Sequence, residues 1–144
     1  MTTEKLLISQ FLDWLNAEIK AERLALPAYV SLGSPFYTTG KGLWAQMQGK
    51  AQPSQKYLRG RYRAILSFGL YYRLPDPEIE GIEARMLLPS ETLEDYLYTH
   101  KPILADFLII KIAQTNGAVP FNRSDTKELT YQSLWQIEFE VKIT

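Results

Sequence analysis

The sequence contains no cysteine and only one histidine, His100. Without cysteine the chain has no disulfide, no thiol nucleophile and no thiolate metal ligand. A lone histidine leaves carboxylates as the only other ligands for a metal site. His100 stands near the predicted end of a helix, where a cation is favoured by the last carbonyl groups. We therefore interpret it as a structural residue.

Neither sign of charge is in excess, because 16 Lys and Arg residues balance 16 Asp and Glu residues. A neutral chain has no global field that attracts nucleic acid or an anionic membrane, so any basic surface must be local. No apolar run approaches the ~20 residues of a membrane span, and the start has no cleavage site of a signal peptide. We expect a single domain over residues 1–144, with no membrane partner.

The stretch Arg61–Arg73 alternates strictly between two sets of side chains. One set is apolar throughout: Tyr62, Ala64, Leu66, Phe68, Leu70 and Tyr72. The other set mixes arginines with Ile65 and Tyr71. Because successive side chains of a strand point to opposite faces, this pattern predicts a central antiparallel strand with one face in the core.

The residues before this strand predict a helix followed by two short strands. The helix is expected to begin after Thr2 or Thr3 and to end near Ala21–Arg23. Its apolar stripe contains Ile8, Leu12, Leu15 and Ile19, flanked by Leu7, Phe11 and Trp14. Strands are predicted over residues 29–32 and Leu43–Gln48. The connection 48–60 is predicted to be a long loop, because Gly49, Pro53 and Gly60 favour turns.

The residues after the central strand predict two helical pieces and two strands. The first piece begins at Pro77, and the second, after Pro89-Ser90, is opened by an imperfect capping box of Thr92 and Asp95. Ala105–Ala113 is apolar on both faces and is predicted to run inside the sheet. Residues 116–129 are predicted to be a turn-rich excursion, and Trp135–Ile143 a half-buried strand.

This order of elements predicts an α+β fold. We expect an antiparallel sheet of about four to five strands, with the N-terminal helix and the central helical segment packed on one face.

The acidic residues offer one candidate for catalysis, the pair Glu138 and Glu140 on one face of the last strand. Two carboxylates can hydrolyse a glycosidic bond, but here no further motif supports that chemistry. Opposite charges across the sheet, such as Arg61 and Arg63, also explain the pair. Since no catalytic constellation is present, we expect a binding or structural protein rather than an enzyme, with no cofactor and no metal.

The most basic part of the chain lies around the start of the central strand. Its members are Lys50, Lys56, Arg59, Arg61 and Arg63. Together with Tyr57 and Tyr62 they could hold phosphates and stack bases. A solvated strand face and a subunit interface, where Arg and Tyr are enriched, are the other interpretations. For the charges taken alone we prefer the solvated face, then the interface, then nucleic acid.

The layout as a whole resembles the tail-terminator proteins of long-tailed bacteriophages, which are also labelled minor capsid or tail completion proteins. The shared features are the opening helix FLDWLNAEI, the strand pair around Leu43–Gln48 and Arg61–Tyr72, the helical segment, and the closing pattern Tyr131…Trp135-x-Ile137-x-Phe139-x-Val141. The resemblance is one of element order and hydrophobic pattern over most of the chain.

This resemblance implies a virion structural protein of the tail and neck, assembled in the host cytoplasm. The subunit would form a hexameric ring that caps the finished tail tube and joins it to head–tail connector proteins, with DNA only as passing cargo. A ring needs a heterologous interface, and we expect the connection 48–60 and the five basic residues at that interface or facing the DNA channel. The alternatives are a monomeric adaptor, a ligand-binding domain with its pocket between the first helix and the sheet, or another connector subunit.

Overall fold

The computed structural model describes residues 2–33, 42–56, 62–74, 82–123 and 129–142. The elements in chain order are α1 (Thr3–Lys20), β1 (Val30–Leu32), β2 (Gly42–Met47), β3 (Gln52–Lys56), β4 (Tyr62–Leu74), α2 (Ile82–Thr99), β5 (Phe107–Arg123) and β6 (Leu129–Val141). The strands form one sheet in the order β1-β2-β4-β6-β5, and β3 also pairs with β4. The α+β class predicted from the sequence is confirmed.

Strand β4 is central, as its alternation predicts. Along its whole length it pairs with β6, so that Ala64 lies opposite Phe139 and Phe68 opposite Trp135. The side chains that alternate with these point to the other side of the sheet. The inner face carries the core, and the rings of Phe68 and Trp135 stack with centroids 6.2 Å apart. Each fully buried side chain of this size contributes ~1.5–3 kcal/mol of transfer free energy.

Helix α1 lies on this inner face and confirms the predicted stripe. The Thr2 hydroxyl caps the helix by accepting a hydrogen bond from the Lys5 N–H (3.2 Å), and the C-cap is Ala21. The buried side chains are Leu7, Ile8, Phe11, Leu12 and Leu15. The ring of Phe11 lies 5.7 Å from that of Phe68, which anchors α1 over the middle of β4.

The connection 48–60, predicted as a long loop, contains strand β3. Gly49 has a positive φ of 88°, which glycine adopts without strain, and it separates β2 from β3. Strand β2 pairs with residues 68–73 of β4, and β3 with residues 62–65. The two short strands therefore lie end to end along one edge of β4. Pro53 is accommodated in β3 because the ladder is irregular between Pro53 and Gln55.

Helix α2 is continuous through Pro89, so the predicted division at Pro89-Ser90 is wrong. Proline inside a helix removes one backbone hydrogen bond, but here both flanking pieces keep the helical path. Thr92 and Asp95 consequently lie inside the helix and do not form a capping box. The predicted start at Pro77 lies outside the described residues.

Two further predictions about the sheet are corrected. Strand β5 is the last strand in the sheet order rather than an inner one, and it continues to Arg123, through most of the predicted excursion. The inner position beside β4 belongs to β6. One pair, β1 with β2, is parallel. Strand β3 brings the number of strands in the described residues to six, instead of the expected four to five.

Candidate interaction surface

The five basic residues do not form one described surface. Lys50 is exposed between β2 and β3, and Lys56 is the last residue of β3, opposite Tyr62. Arg63 lies on the outer face of β4, the face turned away from the helices. Arg59 and Arg61 lie outside the described residues.

Arg63 forms ion pairs with both acids of the last strand. Its Nη2 lies 3.3 Å from Glu140 Oε1, and its Nη1 lies 3.9 Å from Glu138 Oε1. Glu140 stands directly opposite Arg63 in the ladder, and Glu138 stands two residues away. The cross-strand charge pairing predicted as the alternative to a catalytic carboxylate pair is therefore confirmed for Arg63. Its charge is shared with two carboxylates on the same face.

The other end of the outer face is closed by aromatic side chains lying over glycines. A Cβ atom built on Gly42 would lie 2.6 Å from the Trp44 ring, and one built on Gly69 would lie 3.0 Å from the Tyr71 ring. The Arg73 guanidinium lies 4.7 Å from the Trp44 ring centroid, a cation–π arrangement. A side chain at Gly42 would therefore displace the Trp44 ring, whereas one at Gly69 would require the Tyr71 ring to move by only a few tenths of an ångström.

Between these ends the outer face has a shallow depression of about 230 Å³. It is lined by side chains from three neighbouring strands: Ile65 of β4, Gln136 and Glu138 of β6, and Lys111 and Ala113 of β5. This mixture of apolar and polar side chains can hold a partner side chain, but it brings together no nucleophile and base.

Where the ends of α1 and α2 meet, a cluster of polar groups joins the two helices. The Glu18 carboxylate accepts hydrogen bonds from Arg23 (Nε to Oε2, 2.7 Å) and from the Tyr96 hydroxyl. Both hydrogen bonds lower the pKa of Glu18, to about 2, and the one from Arg23 has the larger effect. Burial, and then the bond to Glu18, raises the pKa of Tyr96.

His100 belongs to the same cluster and has the structural role expected from the sequence. Its ring stacks on that of Tyr96, with centroids 4.1 Å apart, and its Nδ1 lies 3.1 Å from the Tyr96 carbonyl oxygen. It therefore packs on the last turn of α2. In the described part of the chain no group of three or more His, Cys, Asp or Glu side chains is placed to hold a metal ion.

The two outermost strands of the sheet, β1 and β5, differ in what lies against their outer edges. On β1, Val30 donates its N–H to Asn16 Oδ1 (2.8 Å), and Asn16 Nδ2 donates to the Val30 carbonyl (2.9 Å). The asparagine thus takes the place of a neighbouring strand. Strand β5 instead borders a groove of about 330 Å³ between its outer edge and the C-terminal end of α2. Sequence reasoning missed this groove, although Tyr98 and Ile103 near Pro102 are apolar residues in a turn-prone stretch.

Comparison with protein-family models finds no match for this chain, and comparison with curated proteins finds no significant match. Of the helices described, neither is long and apolar enough to cross a membrane.

Proposed function

We propose that this chain is a tail terminator of a long-tailed bacteriophage, a virion structural protein that works by association. Its subunits form a ring, with six as the expected number, that caps the tail tube and joins it to head–tail connector proteins. The proposal rests on the element order shared with that class: an opening amphipathic helix, a strand pair, a helical segment and a closing strand pair in one sheet.

The distribution of surface features supports association between unlike patches. The outer face carries the Arg63 ion pairs and a shallow depression, whereas the β5 edge carries a groove beside exposed Tyr98 and Ile103. A closed ring requires one patch to meet a different patch on the next subunit. A protein with two dissimilar surfaces on one sheet meets this requirement without any change of fold.

The decisive experiment is electron microscopy of the purified chain mixed with tail tubes, together with a mass measurement by light scattering. We expect rings at one end of each tube and a mass of about six times 16.6 kDa, in solution or once tubes are added. A chain that remains a single subunit and leaves the tube ends bare would overturn the proposal.

The interface placement has its own test. Changing Arg59 and Arg61 together to Ala is expected to weaken ring formation or tube capping, with Lys5→Ala on α1 as the control for loss of an exposed cation. If the double variant forms rings and caps tubes as the control does, the basic stretch is not at the contacts.

A monomeric adaptor or ligand-binding domain is the second candidate, and the two surface concavities favour it. The pocket expected between the first helix and the sheet is filled by Leu7, Ile8 and Phe11, which have no exposed surface. An adaptor would instead use the β5 groove or the outer depression. A single-subunit mass in the presence of tail tubes, combined with a bound peptide or small molecule, supports this candidate over the ring.

A further inference from the structure

The groove beside β5 has one wall made of backbone at the border of the sheet. Residues 109–112 of β5 form this wall, and residues 97–99, 101 and 102 form the opposite one. Because β5 pairs only with β6 among the described strands, its backbone groups on the outer side point into the groove region. Such an edge can accept an additional strand through main-chain hydrogen bonds.

The length of a segment that fits here is limited by the regularity of β5. Its ladder with β6 shifts register between Ile109 and Lys111 and again between Gln114 and Asn116. Bulges twist an edge and interrupt pairing. The regular stretch between the shifts, residues 111–114, limits an added strand to about four residues in register.

The opposite wall and the loop after it expose apolar side chains. Tyr98 has 91% of its surface exposed and Ile103 has 85%. Single exposed hydrophobic residues are common, but Tyr98 lines the groove, and Ile103 directly follows Pro102, which also lines it. Tyr98 provides an apolar contact for a side chain of an added strand.

The charged side chains that line the groove are both lysines, Lys101 and Lys111. A cation at Lys101 is favoured in any case by the C-terminal end of α2. Lys111 stands opposite Glu138, whose described ion pair is with Arg63, and it also lines the outer depression. The groove therefore combines positive charge with apolar walls, and its complement is acidic and apolar.

We propose that this groove binds a short extended segment of a partner protein, with alternating acidic and apolar residues, as an added strand on β5. The acidic side chains face Lys101 and Lys111, and the apolar ones contact Tyr98.

A second copy of this chain fits less well in the groove than such a segment. Two β5 edges paired about a two-fold axis through Lys111 would place like charges together, and β1 is closed at Val30 by Asn16. The proposal does not depend on ring formation.

The test uses the full chain and a fluorescein-labelled peptide, Gly-Val-Glu-Ile-Glu-Val-Glu-Gly, in a fluorescence anisotropy titration. The same peptide with Lys in place of each Glu, and one with Pro in place of the central Ile, are the peptide controls. We expect saturable binding of the acidic peptide alone. The paired change Lys101→Glu and Lys111→Glu is expected to weaken binding by about tenfold or more, which corresponds to about 1.4 kcal/mol.

The single change Lys5→Glu, at an exposed site on α1, is the matched protein control and should leave the affinity unchanged. Hydrogen exchange of the complex locates the site: residues 109–114 should gain protection when the peptide binds. Equal affinity for the acidic and basic peptides overturns the proposal, and so does binding that survives the paired change or leaves exchange at β5 unaltered. Self-association that is lost in the paired variant would assign the groove to a second copy and also overturn it.

Discussion

The side-chain amide of Asn16 on α1 is paired with both backbone polar groups of Val30 on β1. The N–H of Val30 donates to Oδ1, and Nδ2 donates to the Val30 carbonyl oxygen, at 2.8 and 2.9 Å. In a parallel pair the residues that bond to the neighbouring strand alternate with residues that point away from it. The backbone N–H and C=O of Val30 point away from β2. Asn16 therefore satisfies polar groups that would otherwise form an open edge of the sheet.

Replacing Asn16 with Leu should destabilise the fold. The change keeps the approximate size of the side chain but leaves the N–H and C=O of Val30 without their partner. We expect a loss of ~1–3 kcal/mol in the free energy of unfolding. Urea denaturation followed by circular dichroism measures it. Asp13→Leu, at an exposed position of the same helix, is the control, and an equal midpoint for both variants would contradict the role of this pair.

Replacing Gly42 with Ala should displace the Trp44 ring. The added Cβ would lie 2.6 Å from that ring, which is buried. We expect a cost of ~1–3 kcal/mol, with a shift in tryptophan emission. Gly117→Ala is the matched control, because no heavy atom lies within 4 Å of its added Cβ. If the two variants unfold at the same urea concentration, Trp44 does not depend on the glycine.

The contact between Glu18, Arg23 and Tyr96 should make stability depend on pH in the acid range. The pKa of Glu18 is lowered from 4.5 to about 2 in the folded chain, chiefly by the hydrogen bond from Arg23. Between these values the unfolded chain binds more protons, so the stabilisation is present above about pH 4.5 and is lost as the pH falls towards 2.

Glu18→Gln should therefore flatten the dependence of the denaturation midpoint on pH across this range, relative to Glu91→Gln at an exposed site on α2. Tyr96→Phe should raise the pKa of Glu18 part of the way back, which carboxyl chemical shifts in NMR measure directly. A Glu18 carboxyl that titrates in its ordinary range in the native protein would refute the assignment.

The ion pair of Arg63 with Glu140 should contribute modestly to stability, because both side chains are partly exposed. A double-mutant cycle with Arg63→Gln and Glu140→Gln is expected to give a coupling of ~0.2–1 kcal/mol that falls as salt is added. The cycle of Lys5→Gln with Glu140→Gln joins two distant sites and should give no coupling. A coupling that does not change with salt would mean that the two side chains interact by packing rather than charge.

Local patterns in the sequence were sufficient to predict the helix and strands that contribute side chains to the core. The alternation around Phe68 and Trp135 and the stripe containing Phe11 determine which side chains face inward, since the period of a strand or a helix fixes the direction of each residue. The order of these elements then leads to an α+β sheet with its helices on one face. For the same reason the Glu138–Glu140 pair could be matched in advance with an arginine across the sheet.

Local patterns do not determine which strands become neighbours. Ala105–Ala113 is largely apolar on both faces, which is typical of an inner strand, yet β5 is at the border because β6 takes the place beside β4. Gly49 and Pro53 favour turns, yet residues 52–56, which include Pro53, pair with β4 as strand β3. Pairing of strands depends on contacts between residues far apart in the chain, which no local period encodes.

For the candidate sites, too, some features could be predicted from the sequence and others depend on the tertiary structure. The sequence by itself determined the inward faces, the absence of cysteine chemistry and the presence of a basic stretch. The tertiary structure decided that Arg63 is shared by two carboxylates, that Asn16 closes one edge of the sheet, and that Lys101 and Lys111 line one groove at the other. The physical reason is that a surface is formed by side chains from several elements, and their distances are set only when the sheet has acquired its register and the helices have packed on it.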